Sequence, residues 1–212
     1  EFKSDIRPLC KYLITQIEKL GIPVEHKKAS AADLAGYDAV ICATGSRPIL
    51  PGVPGIDKPG VMDALEVLNG ARKPEGRIAV IGGGLVGTET ALHLAEQGMH
   101  TTLVEMLPKI MNGVAATDQL AYSERIAKAD MEVCTGTRLV SIGDGEITVS
   151  DRTGTHTIPA DSVIIAIGLK AQYSLYGELC AQGKEAYLVG DAVHPGKIFD
   201  AFHTAYRVAW KI

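Results

Sequence analysis

The feature that most constrains this chain is a glycine-rich turn, Gly82-x-Gly84-x-x-Gly87, between an apolar run and an amphipathic stretch. Residues 77–81 predict a short buried strand, and residues 85–97 predict a helix. A G-x-G-x-x-G pattern is weak by itself, but it gains meaning where it links a strand to a helix in this way. The setting predicts an α/β fold with a phosphate-binding turn.

Each glycine of this turn has a separate physical role in a Rossmann-type dinucleotide site. Gly82 allows the tight turn out of the strand, Gly84 lets the backbone approach a pyrophosphate, and Gly87 lets the helix pack closely on the strand. The helix N-terminus adds free N–H donors and a partial positive charge for the phosphates. We therefore include the rest of the turn in the candidate site: Gly83, Leu85 and Val86.

Glu105 ends the next predicted strand, residues 100–105, eighteen positions after Gly87. A carboxylate there accepts hydrogen bonds from the adenosine ribose hydroxyls. It also opposes the 2′-phosphate of NADPH, because like charges ~4 Å apart repel by ~1 kcal/mol in water and by ~4 kcal/mol at a dielectric of 20. The sequence predicts NADH as the ligand, with Met106 in the same site and Lys109 as the nearest cation. The alternative is a glycine-rich turn with a surface Glu beside it.

Along the rest of the chain, apolar strands alternate with amphipathic helices, which is typical of a parallel sheet with helices on both faces. Further strands are expected at residues 38–43, 161–167 and 186–189, and further helices at 4–20, 117–129 and 198–210, with Ser4 and Thr117 as caps. Residues 46–60 predict a linker. Short strands at 131–134, 138–142, 146–150 and 156–158 predict a local antiparallel insertion with a hairpin at 143–145.

Charge and composition exclude several classes of protein. The net charge of −4, without a long basic run, argues against nucleic acid or an anionic membrane surface as a partner. No apolar stretch approaches the ~20 residues that span a bilayer. The four cysteines follow no redox or zinc spacing, so we expect mostly buried, reduced thiols, no metal site and a cytoplasmic location. No acid, base or nucleophile constellation is visible, and the six histidines are interpreted as structural.

Four motifs in order carry a family resemblance: residues 43–48 (ATGSRP), 81–91 (IGGGLVGTETA), 103–108 (LVEMLP) and 189–192 (VGDA). Over essentially its whole length the chain resembles the C-terminal portion of the 2,4-dienoyl-CoA reductase/trimethylamine dehydrogenase group. These proteins are NADH:flavin oxidoreductases of the old yellow enzyme type, and their C-terminal region is similar to pyridine nucleotide–disulfide oxidoreductases.

The resemblance implies a Rossmann-type NAD-binding domain, residues 75–170, inserted into a partial FAD- or ADP-binding domain, residues 1–74 and 171–212. Asp191 matches the family aspartate that bonds the flavin ribitol, although Gly190-Asp191 also fits a strand end with a helix cap. For Glu89 two interpretations are open. It lies near the nicotinamide ribose or a flavin-side lysine, or it is a helix-start residue whose charge the helix dipole favours. Further candidates follow predicted strands: Thr44, Gly45, Gly168 and Gly190.

The resemblance also implies a larger parent protein. The outer domain's own glycine-rich fingerprint is expected upstream of residue 1, which is Glu rather than Met, and the catalytic barrel with FMN and a 4Fe-4S cluster is expected there too. The chain would be an NADH-docking module, inactive alone, for delivery of hydride to a flavin that reduces an unsaturated, enoyl-type substrate. Its incomplete outer sheet would leave an edge that invites a second copy, a homodimer. The alternative function is a non-catalytic NAD(H)-binding or sensing module.

Overall fold

The computed structural model describes residues 6–212, so Ser4, the expected cap of the first helix, lies outside the described residues. The helices of this region are α1 (Ile6–Lys19), α2 (Ala64–Leu68), α3 (Leu85–Glu96), α4 (Ala116–Ile126), α5 (Ser174–Ala181) and α6 (Ile198–Ala209). The strands are β1 (Ala39–Cys42), β2 (Ser46–Pro48), β3 (Val61–Asp63), β4 (Ile78–Ile81), β5 (Thr101–Glu105), β6 (Met131–Thr135), β7 (Arg138–Ile142), β8 (Glu146–Asp151), β9 (Gly154–Pro159), β10 (Ser162–Ile165), β11 (Leu169–Ala171) and β12 (Glu185–Leu188).

A five-stranded parallel sheet, in the order β3-β10-β4-β5-β6, forms the centre of the fold. Its central strands are apolar at nearly every position because both faces of the sheet are covered. On one face, Ile78 and Val80 pack towards α2 and α3, and on the other, Ala79 and Ile81 pack towards the antiparallel sheet. The expected α/β fold with a parallel sheet is confirmed.

The three-stranded antiparallel sheet β7-β8-β9 covers one face of the parallel sheet. Its strands alternate, and their inward residues Leu139, Ile147 and Val149 are buried against the central core. The turn between β7 and β8 occupies residues 143–145 as expected, and Gly145 takes a φ of +75° that favours glycine there. β6 differs from expectation, since it pairs in parallel with β5 rather than within the antiparallel insertion.

A second, two-stranded parallel sheet joins segments that are far apart in the sequence. β1 pairs with β12 in the register Cys42↔Leu188, and α5 packs on β12 through the buried Leu179. The antiparallel pair β2–β11 lies where the chain leaves and re-enters this region, with Arg47 opposite Lys170. The carboxyl ends of β1 and β12 therefore lie side by side.

Several short elements were not expected from the sequence. β2 lies in the predicted linker, and α2, β11 and α5, which follow in that order, were not predicted either. β3 pairs with β10 of the five-stranded sheet, and α2 packs on α3, although residues 1–74 were expected to belong to the outer domain. α4 begins at Ala116 after an N-cap at Ala115 without a side-chain bond, so the expected cap at Thr117 is wrong.

The burial of the cysteines and the apolar character of the helices each bear on an expectation from the sequence. All four cysteines are free, and only Cys42 is buried, so the expectation that most are buried is wrong. Within residues 6–212 there is no helix with the length and apolar character that a membrane span requires.

Candidate functional site

Gly82 and Gly87, at the two ends of the turn between β4 and α3, are required by close packing against backbone atoms. Gly82 has a φ of +108°, and a Cβ on it would lie 2.5 Å from the carbonyl oxygen of Ala166. A Cβ on Gly87 would lie 1.8 Å from the carbonyl oxygen of Gly82, because the first turn of α3 rests directly on the end of β4. These two positions hold the helix N-terminus against the carboxyl edge of the sheet.

Gly84 differs from its neighbours in the same turn. It is the N-cap of α3, with φ −67° and ψ −175°, which any residue adopts without strain. A Cβ on Gly84 would meet no heavy atom within 4 Å, whereas a Cβ on Gly83 would lie 2.7 Å from Ile110 Cγ2. Neither backbone conformation nor packing within the protein explains why this position is glycine.

The space in front of this turn is a cleft of about 750 Å³ at the carboxyl edge of the parallel sheet. The first turn of a helix leaves N–H groups without intrahelical acceptors, and α3 begins at this cleft. The cleft brings together eight of the residues that the sequence predicted for the site: Gly82, Gly83, Gly84, Leu85, Val86, Glu105, Met106 and Gly168.

Glu105 is buried, with 8% of its surface exposed, and both of its carboxylate oxygens accept hydrogen bonds from the backbone. The Gly83 amide donates to Oε2 at 2.6 Å, and the Leu107 amide donates to Oε1 at 2.7 Å. Glu105 thus ties the glycine-rich turn to the loop after β5. Each carboxylate oxygen can accept more than one hydrogen bond, so the side chain can still accept from a ligand in the cleft.

Part of the cleft wall comes from segments that were not predicted from the sequence to belong to the site. The Thr137 amide donates to the Glu105 carbonyl oxygen at 2.9 Å, and this bond places the start of β7 beside the end of β5. Ligands bind beyond the carboxyl ends of parallel strands, and residues 136–138 follow β6, but this rule applies only once β6 is known to pair in parallel with β5. The wall residues from these segments are Pro51, Val53, Asn112, Thr137, Arg138 and Leu139, and Lys109, the cation expected near Glu105, also lines the wall.

Glu89 does not line the cleft. It is buried on α3 with 5% of its surface exposed, and the Tyr122 hydroxyl on α4 donates to its Oε1 at 2.6 Å. Burial, and then the hydrogen bond to Glu89, raises the pKa of Tyr122 to about 12. The contact shows that Glu89 joins α3 to α4. Gly87, the other predicted residue on this helix, lies beneath the turn rather than on the cleft wall.

The other predicted residues form a second group at the carboxyl ends of β1 and β12. The Ser46 hydroxyl donates to Asp191 Oδ2 at 3.1 Å, and the Gly196 amide donates to Oδ1 at 3.2 Å. The Thr44 hydroxyl donates to the backbone carbonyl oxygen of Gln172, and the backbone amide of Gln172 donates to the Gly45 carbonyl oxygen at 2.9 Å. The structure therefore brings Thr44-Gly45 and Asp191 into one hydrogen-bonded region, apart from the cleft.

A smaller depression of about 340 Å³ lies beside Gly190, at the N-terminal end of α6. The Gly190 amide donates to the Thr204 hydroxyl at 2.7 Å, which fixes the loop after β12 on that helix. Within residues 6–212, no group of three or more His, Cys, Asp or Glu side chains has the geometry to hold a metal ion.

Comparison with known proteins gives a family match over most of the chain. The profile of the family described as "Pyridine nucleotide-disulphide oxidoreductase" matches residues 5–193. The chain is 34% identical to a metal reductase of Desulforamulus reducens, over 99% of this chain and 37% of that protein. It is also 34% identical to a cinnamate reductase of Clostridium sporogenes, over 100% of this chain and 32% of that protein.

Among solved structures, the chain is similar to a 2-naphthoyl-CoA reductase in complex with 2-naphthoyl-CoA. The TM-score is 0.88 at 30% sequence identity, over 95% of this chain and 31% of that one. The chain therefore spans about a third of the length of these relatives. The resemblance predicted from the four motifs is confirmed.

Proposed function

This chain belongs to the pyridine nucleotide-disulphide oxidoreductase family, and from that premise we propose that it is the NADH-docking module of a larger flavin-dependent oxidoreductase. Membership of this family supports a function as an oxidoreductase that uses FAD and NAD(P). The finer proposal is that the cleft beside the β4–α3 turn holds NADH. In that position NADH would deliver hydride to a flavin in the parent protein.

The observation that carries this proposal is the open space at Gly84. A glycine that is neither strained nor crowded, at the N-cap of a helix that opens onto a cleft, is accounted for by a ligand that needs the room. A pyrophosphate fits the site, because it accepts hydrogen bonds from the N–H groups of the first helical turn and is favoured by the helix dipole.

The position of Glu105 indicates in which direction the dinucleotide would lie in the cleft. Its carboxylate lies in the cleft wall at the end of β5, where it would accept hydrogen bonds from the adenosine ribose. The nicotinamide would then lie towards Gly168, at the opposite side of the turn. Ile167 and Gly168 follow β10, the strand on the other side of β4.

The region around Asp191 fits one side of a flavin site. Its carboxylate can accept hydrogen bonds from ribitol hydroxyls, and the Ser46 hydroxyl beside it is a further polar group. Asp191, with the backbone of Thr44, Gly45 and Gly190, would hold the flavin there. A bound flavin would supply the acceptor for the hydride of NADH.

We also propose a division of the chain into two units. We place the crossings between the two units at the β2–β11 pair rather than at residue 75, because β3 and α2 lie with the five-stranded sheet. In this proposal residues 49–168 carry the NADH site, and the remainder belongs to the FAD- or ADP-binding unit of the parent.

The parent's substrate is proposed from the names of the relatives. Cinnamate reductase and 2-naphthoyl-CoA reductase are named for unsaturated acids or their CoA thioesters. We therefore propose reduction of an unsaturated, enoyl-type substrate, with FMN and a 4Fe-4S cluster elsewhere in the parent. We also propose that two copies pair through an edge of the two-stranded sheet β1–β12 to form a homodimer.

The test of the NADH site is Gly84→Val. The fold should survive, because a side chain at this position meets no protein atom, but binding of NADH should fall at least about a hundredfold because a branched side chain blocks the pyrophosphate. NADH fluorescence titration measures the affinity and circular dichroism checks the fold. Gly177→Val on α5 is the matched control, since its Cβ also meets nothing within 4 Å. Unchanged NADH affinity in folded Gly84→Val would show that this turn is not the phosphate site.

The alternative, a non-catalytic NAD(H)-sensing module, would use the same cleft. The two functions differ in the intact parent protein, where NADH should reduce bound flavin and bleach its visible absorbance. Binding of NADH without bleaching supports the sensing module instead.

A further inference from the structure

The cleft contains two cations, Lys109 and Arg138, that lie on different elements of the fold. Its charged wall residues are these two and Glu105, so the cations outnumber the carboxylate. Lys109 lies on the loop after β5, and Arg138 begins β7. Both side chains are exposed towards solvent, and neither has an ion pair with another of the described residues.

The backbone holds both cations near Glu105. Thr137, which directly precedes Arg138, is buried and donates its amide to the Glu105 carbonyl oxygen, while Arg138 pairs with Ser150 in the antiparallel sheet. The loop that carries Lys109 is fixed by the bond from the Leu107 amide to Glu105. The charged groups therefore extend from a fixed frame at the ribose end of the cleft.

We propose that Lys109 and Arg138 determine how far this site discriminates between NADH and NADPH, by offering a cationic pair to the 2′-phosphate that Glu105 opposes. This inference rests on the proposed NADH site. NADPH is then a weaker second ligand rather than an excluded one. Guanidinium and ammonium groups without partners are suited to this role, because no existing ion pair has to break before they contact a phosphate.

The role predicts an effect that differs between the two dinucleotides. NADH and NADPH share the pyrophosphate, so a cation that contacts only the pyrophosphate would affect both equally. A cation that contacts the 2′-phosphate affects NADPH alone. Screening by salt should likewise weaken NADPH binding more steeply than NADH binding, because the additional contact lies between exposed charges.

The experiment compares Lys109→Gln and Arg138→Gln with the unmodified chain, by titration with NADH and with NADPH at low and high salt. Each variant should lose about tenfold in NADPH affinity, the effect of one charge-assisted contact, and less than about threefold in NADH affinity. Lys128→Gln is the matched control: it removes the same charge just before β6, at the opposite edge of the sheet from the cleft. It should change neither affinity.

Equal losses for the two dinucleotides, or no loss, in variants that keep the circular dichroism of the unmodified chain would overturn this inference and leave the NADH site intact. Absence of NADH binding by the unmodified chain would instead overturn the proposed function, and this inference with it. The two failures are therefore distinguishable in one set of titrations.

Discussion

At the scale of single residues, Glu105 combines a structural contact with a proposed recognition contact. Its carboxylate accepts the amides of Gly83 and Leu107, so it shapes the turn before any ligand arrives. From the sequence, Glu105 could be assigned to the ribose, but this internal pairing could not be predicted because it depends on how the loop after β5 folds back. The same carboxylate would oppose a 2′-phosphate.

We predict that NADH binds at least about tenfold more tightly than NADPH, and that Glu105→Gln lowers this ratio by about tenfold. The reason is the loss of a like charge near the 2′-phosphate, worth ~1 kcal/mol in water and more where solvent is excluded. The amide side chain can accept from only one of the two backbone N–H groups, so the free energy of unfolding should also fall by about 1–3 kcal/mol.

Parallel fluorescence titrations with the two dinucleotides, with urea unfolding, measure both effects of Glu105→Gln. Glu132→Gln is the control, because it removes an exposed carboxylate from the adjacent strand β6, where Glu132 pairs with Thr102. An unchanged preference in a folded Glu105→Gln protein contradicts the assignment of this residue to the adenosine ribose.

At the scale of secondary-structure elements, the sequence predicted what local patterns determine. The β4–turn–α3–β5 unit was predicted because apolar strands, glycines and helix periodicity all indicate it. β3 and β11 were missed because three residues carry no readable period. α2 is also short, but Asp63 and Glu66 form a capping box, and this D-x-x-E signal was readable in the sequence.

The candidate site shows the same division between local and long-range information. The residues of the turn and the end of β5 were found, since their roles follow from a motif with fixed spacing. Thr137 and Arg138 were missed because they reach the cleft only through the pairing of β6 with β5 and the bond from Thr137 to Glu105. Such contacts depend on long-range topology, which a single sequence does not reveal.

An ion pair between Arg77 and Asp161, here called the clamp, joins the starts of β4 and β10 and should make the stability of the fold depend on pH. Asp161 accepts two hydrogen bonds from the Arg77 guanidinium, at 2.9 and 3.1 Å, and one from the Arg77 amide at 2.9 Å. The side-chain bond from Arg77, followed by the backbone bond, lowers the pKa of Asp161 from 3.8 to about 2. A lowered pKa stabilises the fold above pH 3.8, and this stabilisation is lost as the pH falls through about 2.

We therefore expect Asp161→Asn to lower the melting temperature at neutral pH, and the difference from the unmodified chain to shrink as the pH falls from about 4 to about 2. Calorimetric scans across this range give the comparison. Asp57→Asn, at an exposed carboxylate without an ion pair among the described residues, is the control. A difference for Asp161→Asn that stays constant down to pH 2 would be inconsistent with the clamp.

At the scale of the whole molecule, the two candidate regions are unequal. The cleft has a strand, a glycine turn and a helix N-terminus, whereas the region around Asp191 has separate polar groups from the start of β2 and from the segment after β12. In the part of the chain that the structure describes, the G-x-G-x-x-G turn between a strand and a helix occurs once, at residues 82–87. In our proposal this turn is assigned to NADH.

We predict that the chain, expressed as printed, purifies colourless and does not retain added FAD through gel filtration. Without a second glycine turn, the charged FAD pyrophosphate would lack several hydrogen bonds from backbone N–H groups, each worth about 1.5–3 kcal/mol. Because each ~1.4 kcal/mol corresponds to a tenfold change in affinity, FAD should bind weakly. The visible spectrum before and after incubation with excess FAD is the measurement. A stoichiometric flavin spectrum after gel filtration would mean that the region around Asp191 binds flavin without a second glycine turn.

The double contact of Glu105 with the backbone also limits how this site can change during evolution. A descendant that adapts to NADPH by replacing Glu105 loses the link between the Gly83 and Leu107 amides in the same step. Selection would meet that loss of stability before any benefit, since most proteins tolerate only a few kcal/mol of destabilisation. Accumulation of positive charge on the neighbouring loop and on β7 carries no such penalty. Adaptation to a new electron donor should therefore proceed around this carboxylate and leave it in place.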